Sequence, residues 1–92
     1  MRESAVESKV CKWARSRGII VIKLAGPANR GQPDRMFLGD GKLVFIEFKA
    51  PGKKPTPLQF HWLKKLNAAG FAATWFGDSG KAVAFLMTEF GV

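Results

Sequence analysis

Gly31-Gln32-Pro33-Asp34-Arg35-Met36-Phe37-Leu38-Gly39-Asp40-Gly41-Lys42-Leu43-Val44-Phe45-Ile46-Glu47-Phe48-Lys49 is the stretch on which the reading of this chain turns. Two strand-like segments, Arg35–Leu38 and Lys42–Lys49, flank Gly39-Asp40-Gly41, a strong tight-turn signal, so they are expected to form an antiparallel hairpin. Side chains alternate along a strand, so Leu43, Phe45, Glu47 and Lys49 share one face and Val44, Ile46 and Phe48 the other. Glu47 thus interrupts a segment that is otherwise apolar on both faces. A carboxylate there costs free energy unless it is paired or bound to a cation. Lys49 could pair with it, and from this strand alone an ion pair explains the residues equally well. Asp34 shifts the balance. It begins one strand of the hairpin while Glu47 lies near the end of the other, so the two carboxylates meet at the open end, where like charges repel. A divalent cation removes that penalty, because Mg²⁺ takes oxygen ligands and typically uses one or two carboxylates plus waters and substrate phosphate. A lysine beside such a metal can orient an attacking water and offset developing phosphate charge. Asp34 followed by Glu47-x-Lys49 is therefore a phosphodiesterase constellation.

Outward from the hairpin, the chain reads as one domain over residues 1–92 in the order α-β-β-β-α-β-α. Val6, Val10, Trp13 and Ala14 fall at three- and four-residue spacing in a helix from Glu3 to Arg17, with Ser4 as a candidate N-cap and Gly18 as its stop. Ile19–Leu24 is a short β-rich run, and Ala25–Pro33 is a loop rich in Gly and Pro. Pro51–Pro57 is a basic loop. Thr56 then Pro57 starts a helix to about Ala69, expected to bury Leu58, Trp62, Leu66 and Ala69. Phe71–Phe76 is a further strand. Asp78 or Ser79 could cap a last helix through Phe90, although the run Val83–Met87 leaves strand open there. Strands and helices mixed in this order predict an α/β fold around a small mixed sheet.

Composition narrows the function. Fifteen Lys and Arg against seven Asp and Glu give a formal charge of +8, which suits a polyanionic partner, most commonly nucleic acid. No apolar run approaches the ~20 residues of a membrane helix, and Met1-Arg2-Glu3 opens no signal peptide. A single Cys11 excludes an internal disulfide or a cysteine-based zinc site and fits a reducing cytoplasm. No Gly-x-x-x-x-Gly-Lys loop suggests a nucleotide-triphosphate site. A chain this short has a thin core, so dimerisation is a natural source of stability.

Pro33-Asp34 followed by Glu47-Phe48-Lys49 matches the PD-(D/E)xK nuclease signature. More narrowly, the sequence resembles the virus-type replication-repair nuclease (VRR-NUC) domain: a first-helix Glu, a lysine on the next strand, Gly-x-Pro-Asp-Arg, Glu-x-Lys-Ala, and a Gln just inside the following helix. Those positions read Glu7, Lys23, Gly31-Gln32-Pro33-Asp34-Arg35, Glu47-Phe48-Lys49-Ala50 and Gln59. The resemblance spans Glu7 to about Phe76 and implies a restriction-endonuclease-like α-β-β-β-α-β core. It implies Asp34, Glu47, the carbonyl of Phe48 and Glu7 as metal ligands, with Glu3, one turn earlier, the rival to Glu7. It implies Lys49 as the catalytic lysine, and Gln59 as the residue that positions that lysine or the water. The cofactor implied is Mg²⁺, with Mn²⁺ able to substitute, and the products are a 5′-phosphate and a 3′-hydroxyl. Stand-alone members of the family are similar to homodimeric Holliday-junction resolvases acting on branched or double-stranded DNA. The alternatives are a monomeric flap nuclease and a non-catalytic nucleic-acid-binding module.

Arg30, Arg35, Lys53 and Lys54 lie on loops at the metal end of the sheet and are the expected phosphate contacts. Lys23 fits either a phosphate contact or an ordinary strand-edge lysine. His61, Cys11 and the three tryptophans, Trp13, Trp62 and Trp75, are expected to be structural.

Overall fold

Helix α1 (Glu3–Ser16) forms because Val6, Val10, Cys11 and Ala14 recur on one face, and all four are buried. Its N-cap is Arg2, which makes no side-chain cap bond; Ser4 lies inside the first turn and does not cap. Gly18, at φ +78°, lets the chain leave the helix. The computed structural model describes residues 1–24 and 30–92; residues 25–29 of the expected Gly/Pro loop lie outside them.

Strands β1 (Ile20–Lys23), β2 (Arg35–Gly39), β3 (Lys42–Phe48) and β4 (Ala72–Phe76) form one sheet in the order β1-β2-β3-β4. The first three are antiparallel neighbours, and β4 runs parallel to β3. The hairpin turn between β2 and β3 uses Asp40 and Gly41, both with positive φ, the geometry that matches the twist of paired strands. Helix α2 (Pro57–Ala68) makes the crossover that a parallel pair requires. Helix α3 (Ser79–Phe90) follows β4, capped by Asp78 and ended by Gly91 in the left-handed region. The last segment is thus helix, not strand. This is the α/β architecture with a small mixed sheet expected from the sequence.

The two sheet faces differ. On one, Val44, Ile46 and Phe48 of β3 and Phe37 of β2 join α1 and the Ala82, Leu86 and Phe90 face of α3 in the main core. Helix α2 packs on the other face, over β4. Its buried residue is Leu63, flanked by half-buried Gln59, Trp62 and Leu66. Leu58 is 47% exposed and Ala69 is exposed, contrary to the expected inner face. The inward side of the helix instead carries Gln59, whose amide meets Glu47 on β3. No helix among the described residues is long and apolar enough to cross a membrane.

Candidate active site

Because Arg35 pairs with Ile46 across the hairpin, Asp34 falls beside the end of β3. Its Oδ2 accepts a hydrogen bond from the Phe48 N–H at 2.8 Å. Glu47 projects to the face covered by α2 and is 2% exposed. The first turn of α1 brings Glu3 to the same place. One oxygen from each of Glu3, Asp34 and Glu47 lies within 4.8 Å of the other two. Lys49 Nζ stands 3.6 Å from Glu47 Oε2 and 4.0 Å from Glu3 Oε1.

Gln59 links this cluster to the start of α2. Its Oε1 accepts from the Thr56 N–H at 2.9 Å, while its own N–H donates to the Thr56 hydroxyl oxygen at 3.2 Å, a reciprocal capping box. The amide nitrogen that remains donates to Glu47 Oε2 at 3.0 Å. One side chain thus both caps a helix and fixes a carboxylate. Gly31 seats the preceding loop under α2: at φ +78°, a Cβ there would lie 2.5 Å from Leu58 Cγ and 3.1 Å from Trp62 Cδ1.

Burial dominates the electrostatics of the cluster. Burial, reinforced by the charge of Asp34, pushes the Glu47 carboxyl from its ordinary 4.5 up to about 8, against the pull of Lys49. Burial also raises the Asp34 carboxyl, opposed by the Phe48 N–H. Glu47 Oε1 is buried and has no hydrogen-bond partner among the described residues. Three carboxylates converging with an orphaned buried oxygen form a hard, anionic oxygen set that fits a divalent cation.

A curated phage protein described as "Putative nuclease p44", from Acyrthosiphon pisum secondary endosymbiont phage 1, is 42% identical over 71 residues, which is 76% of this chain and 76% of that protein. The chain belongs to the family of this phage protein. Two solved structures share its fold. One, described as "VRR_NUC domain", aligns with a TM-score of 0.79 at 24% identity over 95% of this chain and 94% of its own. A second, "VRR_NUC domain protein", gives 0.80 at 16% identity over 95% and 86%. No family model matches the chain.

Within this VRR_NUC fold, the structure brings together Asp34, Glu47, Lys49 and Gln59 but not Glu7. Glu7 instead accepts a hydrogen bond from the Arg35 guanidinium, and both side chains are mostly buried. The cause is strand alternation. Arg35 follows Asp34 and so projects to the opposite sheet face, under α1, where Glu7 neutralises it. Glu3, one turn earlier, occupies the place expected of Glu7, and Arg35 is tied down inside the fold instead of facing a phosphate. Arg30, Lys53, Lys54 and Lys23 are exposed. Cys11 is buried, and burial pushes its thiol up. His61 is exposed on α2. The alternation of β2 signals in the sequence that Arg35 faces away from Asp34, though not that Glu7 is its partner.

Removing the Gln59 amide should cost stability even though Thr56 remains. Gln59→Ala leaves both Glu47 Oε2 and the Thr56 N–H without their partner, so a loss of about 1–3 kcal/mol is expected in urea unfolding without added cation. A change within about 0.5 kcal/mol, on the order of surface substitutions, would show that the bond to Glu47 contributes nothing.

Proposed function

We propose that this chain is a metal-dependent, structure-selective endonuclease of DNA that acts as a homodimer on Holliday junctions. The carrying observation is the convergence of Glu3, Asp34 and Glu47 within 4.8 Å, with Lys49 3.6 Å from Glu47, on a chain of net charge +8. In this reading Asp34, Glu47, the Phe48 carbonyl and Glu3 hold Mg²⁺, with Mn²⁺ able to substitute. Such an ion supplies Lewis acidity toward the scissile phosphate and acidifies a water for attack. The Lys49 ammonium is placed to orient that water and to offset charge growing on the phosphate. Gln59 fixes the direction of the Glu47 carboxylate. Cleavage leaves a 5′-phosphate and a 3′-hydroxyl, and the exposed Arg30, Lys53 and Lys54 contact the flanking backbone.

The dimer reading draws on β1, an edge strand whose Ile20 and Ile22 are 60% and 41% exposed. An exposed apolar edge strand is a hazard unless covered, and a second copy of the chain supplies cover. Two sites related by a two-fold axis also suit symmetric cutting of a junction.

A panel of labelled four-way junction, flap and linear duplex, each with Mg²⁺ or EDTA, tests the reading. Symmetric, Mg²⁺-dependent nicks on the junction are expected, together with a dimer by light scattering at micromolar concentration. Flap-only cutting by a monomer would replace the resolvase with the flap nuclease. Absence of cation-dependent cleavage on every substrate would leave a non-catalytic binding module.

A further inference from the structure

Beside the carboxylate cluster, the loop after β3 and the turn after β4 enclose an open cleft of about 480 Å³. Three lysines line it: Lys53 and Lys54 from the first loop and Lys81 from the first turn of α3. Trp75 forms an aromatic wall, its ring braced edge-on by Phe60 at 6.3 Å between centroids. Asp78 also lines the cleft, but its Oδ1 accepts hydrogen bonds from the Gly80 and Lys81 N–H groups at 2.7 and 3.2 Å as the cap of α3. The cleft therefore keeps a positive balance.

Its position is fixed by backbone contact with the candidate catalytic strand. The Lys49 N–H donates to the Phe76 carbonyl at 2.9 Å, and a Cβ on Gly77 would lie 3.2 Å from the Ala50 carbonyl oxygen. The floor of the cleft is thus the chain that continues directly from Lys49. Ammonium groups around an aromatic face, without a built donor–acceptor set to read base edges, are the arrangement that takes a nucleic-acid strand by phosphate charge and base stacking. We infer that this cleft is a nucleotide subsite of the nuclease, taking an unpaired or displaced nucleotide next to the scissile phosphate, with its phosphates on Lys53, Lys54 and Lys81 and its base against Trp75. The assignment rests on the nuclease reading and adds to it two residues, Lys81 and Trp75, as substrate contacts.

The test is binding of a labelled flap or junction DNA in EDTA, followed by fluorescence anisotropy across a range of salt. Lys81→Ala should reduce the magnitude of the slope of log K against log salt by about 1. Lys64→Ala removes the same charge from the exposed side of α2 and should leave that slope unchanged. Trp75→Leu should weaken binding of DNA bearing unpaired nucleotides by roughly 5- to 150-fold, and Trp75→Phe should restore most of it. If Trp75→Leu fails to fold, quenching of intrinsic fluorescence by the same DNA, reduced in Trp75→Phe, reads the same contact. A Lys81→Ala slope equal to the wild type, or an equal fall in Lys64→Ala, overturns the subsite. Wild-type protein that binds with the Lys81-dependent slope yet cuts no DNA with any cation would keep the cleft and remove the catalytic reading. Cleavage with slope and KM unchanged in Lys81→Ala would remove the cleft alone.

Discussion

Lys49→Ala is expected to reduce DNA cleavage by about 10²–10³-fold or more while junction binding persists. The lysine side chain is 15% exposed and leans over the carboxylates, 3.6 Å from Glu47 and 4.0 Å from Glu3. A cation held so close to two acids contributes little to long-range attraction of DNA, since its charge is locally neutralised. In the proposed mechanism it acts in the transition state, where its ammonium would offset the negative charge growing on the phosphate oxygens. Binding, which the proposed function assigns to Lys53, Lys54 and Arg30, should change by less than a few-fold. Single-turnover cleavage together with anisotropy on one substrate separates the two effects. Unchanged cleavage in Lys49→Ala would refute the role, and a parallel loss of binding would make Lys49 a contact instead of a catalyst.

Stability of the cation-free protein should fall as pH rises. The Glu47 carboxyl is pushed up to about 8 by burial, then by Asp34 and Glu3, with Lys49 opposing. Below its ordinary 4.5 the group is protonated both folded and unfolded, and the shift has no effect on stability. Between about 4.5 and 8 the folded protein holds a proton that the unfolded chain has released, so folding weakens with rising pH, by at most about 1.4 kcal/mol per pH unit. Asp34, raised in the same direction, adds to the slope at its acidic end. The total is several kcal/mol, a large share of the stability of a small domain. A divalent cation among the carboxylates should flatten the profile, because it favours the ionised forms and binds only the folded state. Glu47→Gln should make the cation-free protein more stable than wild type at pH 8 and cancel most of the cation's stabilising effect. Urea unfolding from pH 5 to 8, with Mg²⁺ or EDTA, checks both. A flat profile in EDTA, or full cation stabilisation in Glu47→Gln, would contradict this electrostatic picture.

Much of this arrangement is legible in the sequence, and the reasons are local. Gly41 next to Asp40 admits two positive φ values, which fixes the hairpin and with it the register that sets Asp34 against the end of β3. Period-two alternation puts Glu47 opposite the main core, and the Thr56-Pro57-Leu58-Gln59 run announces the start of α2. What could not be read from spacing depends on how helices lie across the sheet. Glu3 and Glu7 sit one turn apart on α1, and only the crossing of that helix decides which one reaches Asp34. Strand alternation places Arg35 on the face opposite Asp34, but its partner on α1 depends on the same helix crossing. Apolar spacing alone predicts an inward face of α2 through Leu58 and Ala69, whereas the residue that turns inward beside Trp62, Leu63 and Leu66 is the polar Gln59. Trp75 looked like core filling because an aromatic in a strand usually is; its place on a cleft comes from the approach of Gly77 to Ala50, a contact between segments far apart in the chain.

Cation-dependent hydrolysis of a labelled four-way junction by the wild-type chain and by Glu47→Gln, side by side in Mg²⁺ and in EDTA, bears most directly on the acidic cluster as the place where DNA is cut. Wild-type protein should cleave in Mg²⁺, leave 5′-phosphate ends and stop in EDTA, while the folded Glu47→Gln variant binds the junction without cutting it. Cleavage that survives EDTA, or that proceeds undiminished in Glu47→Gln, would contradict the assignment of Glu3, Asp34 and Glu47 as its metal centre.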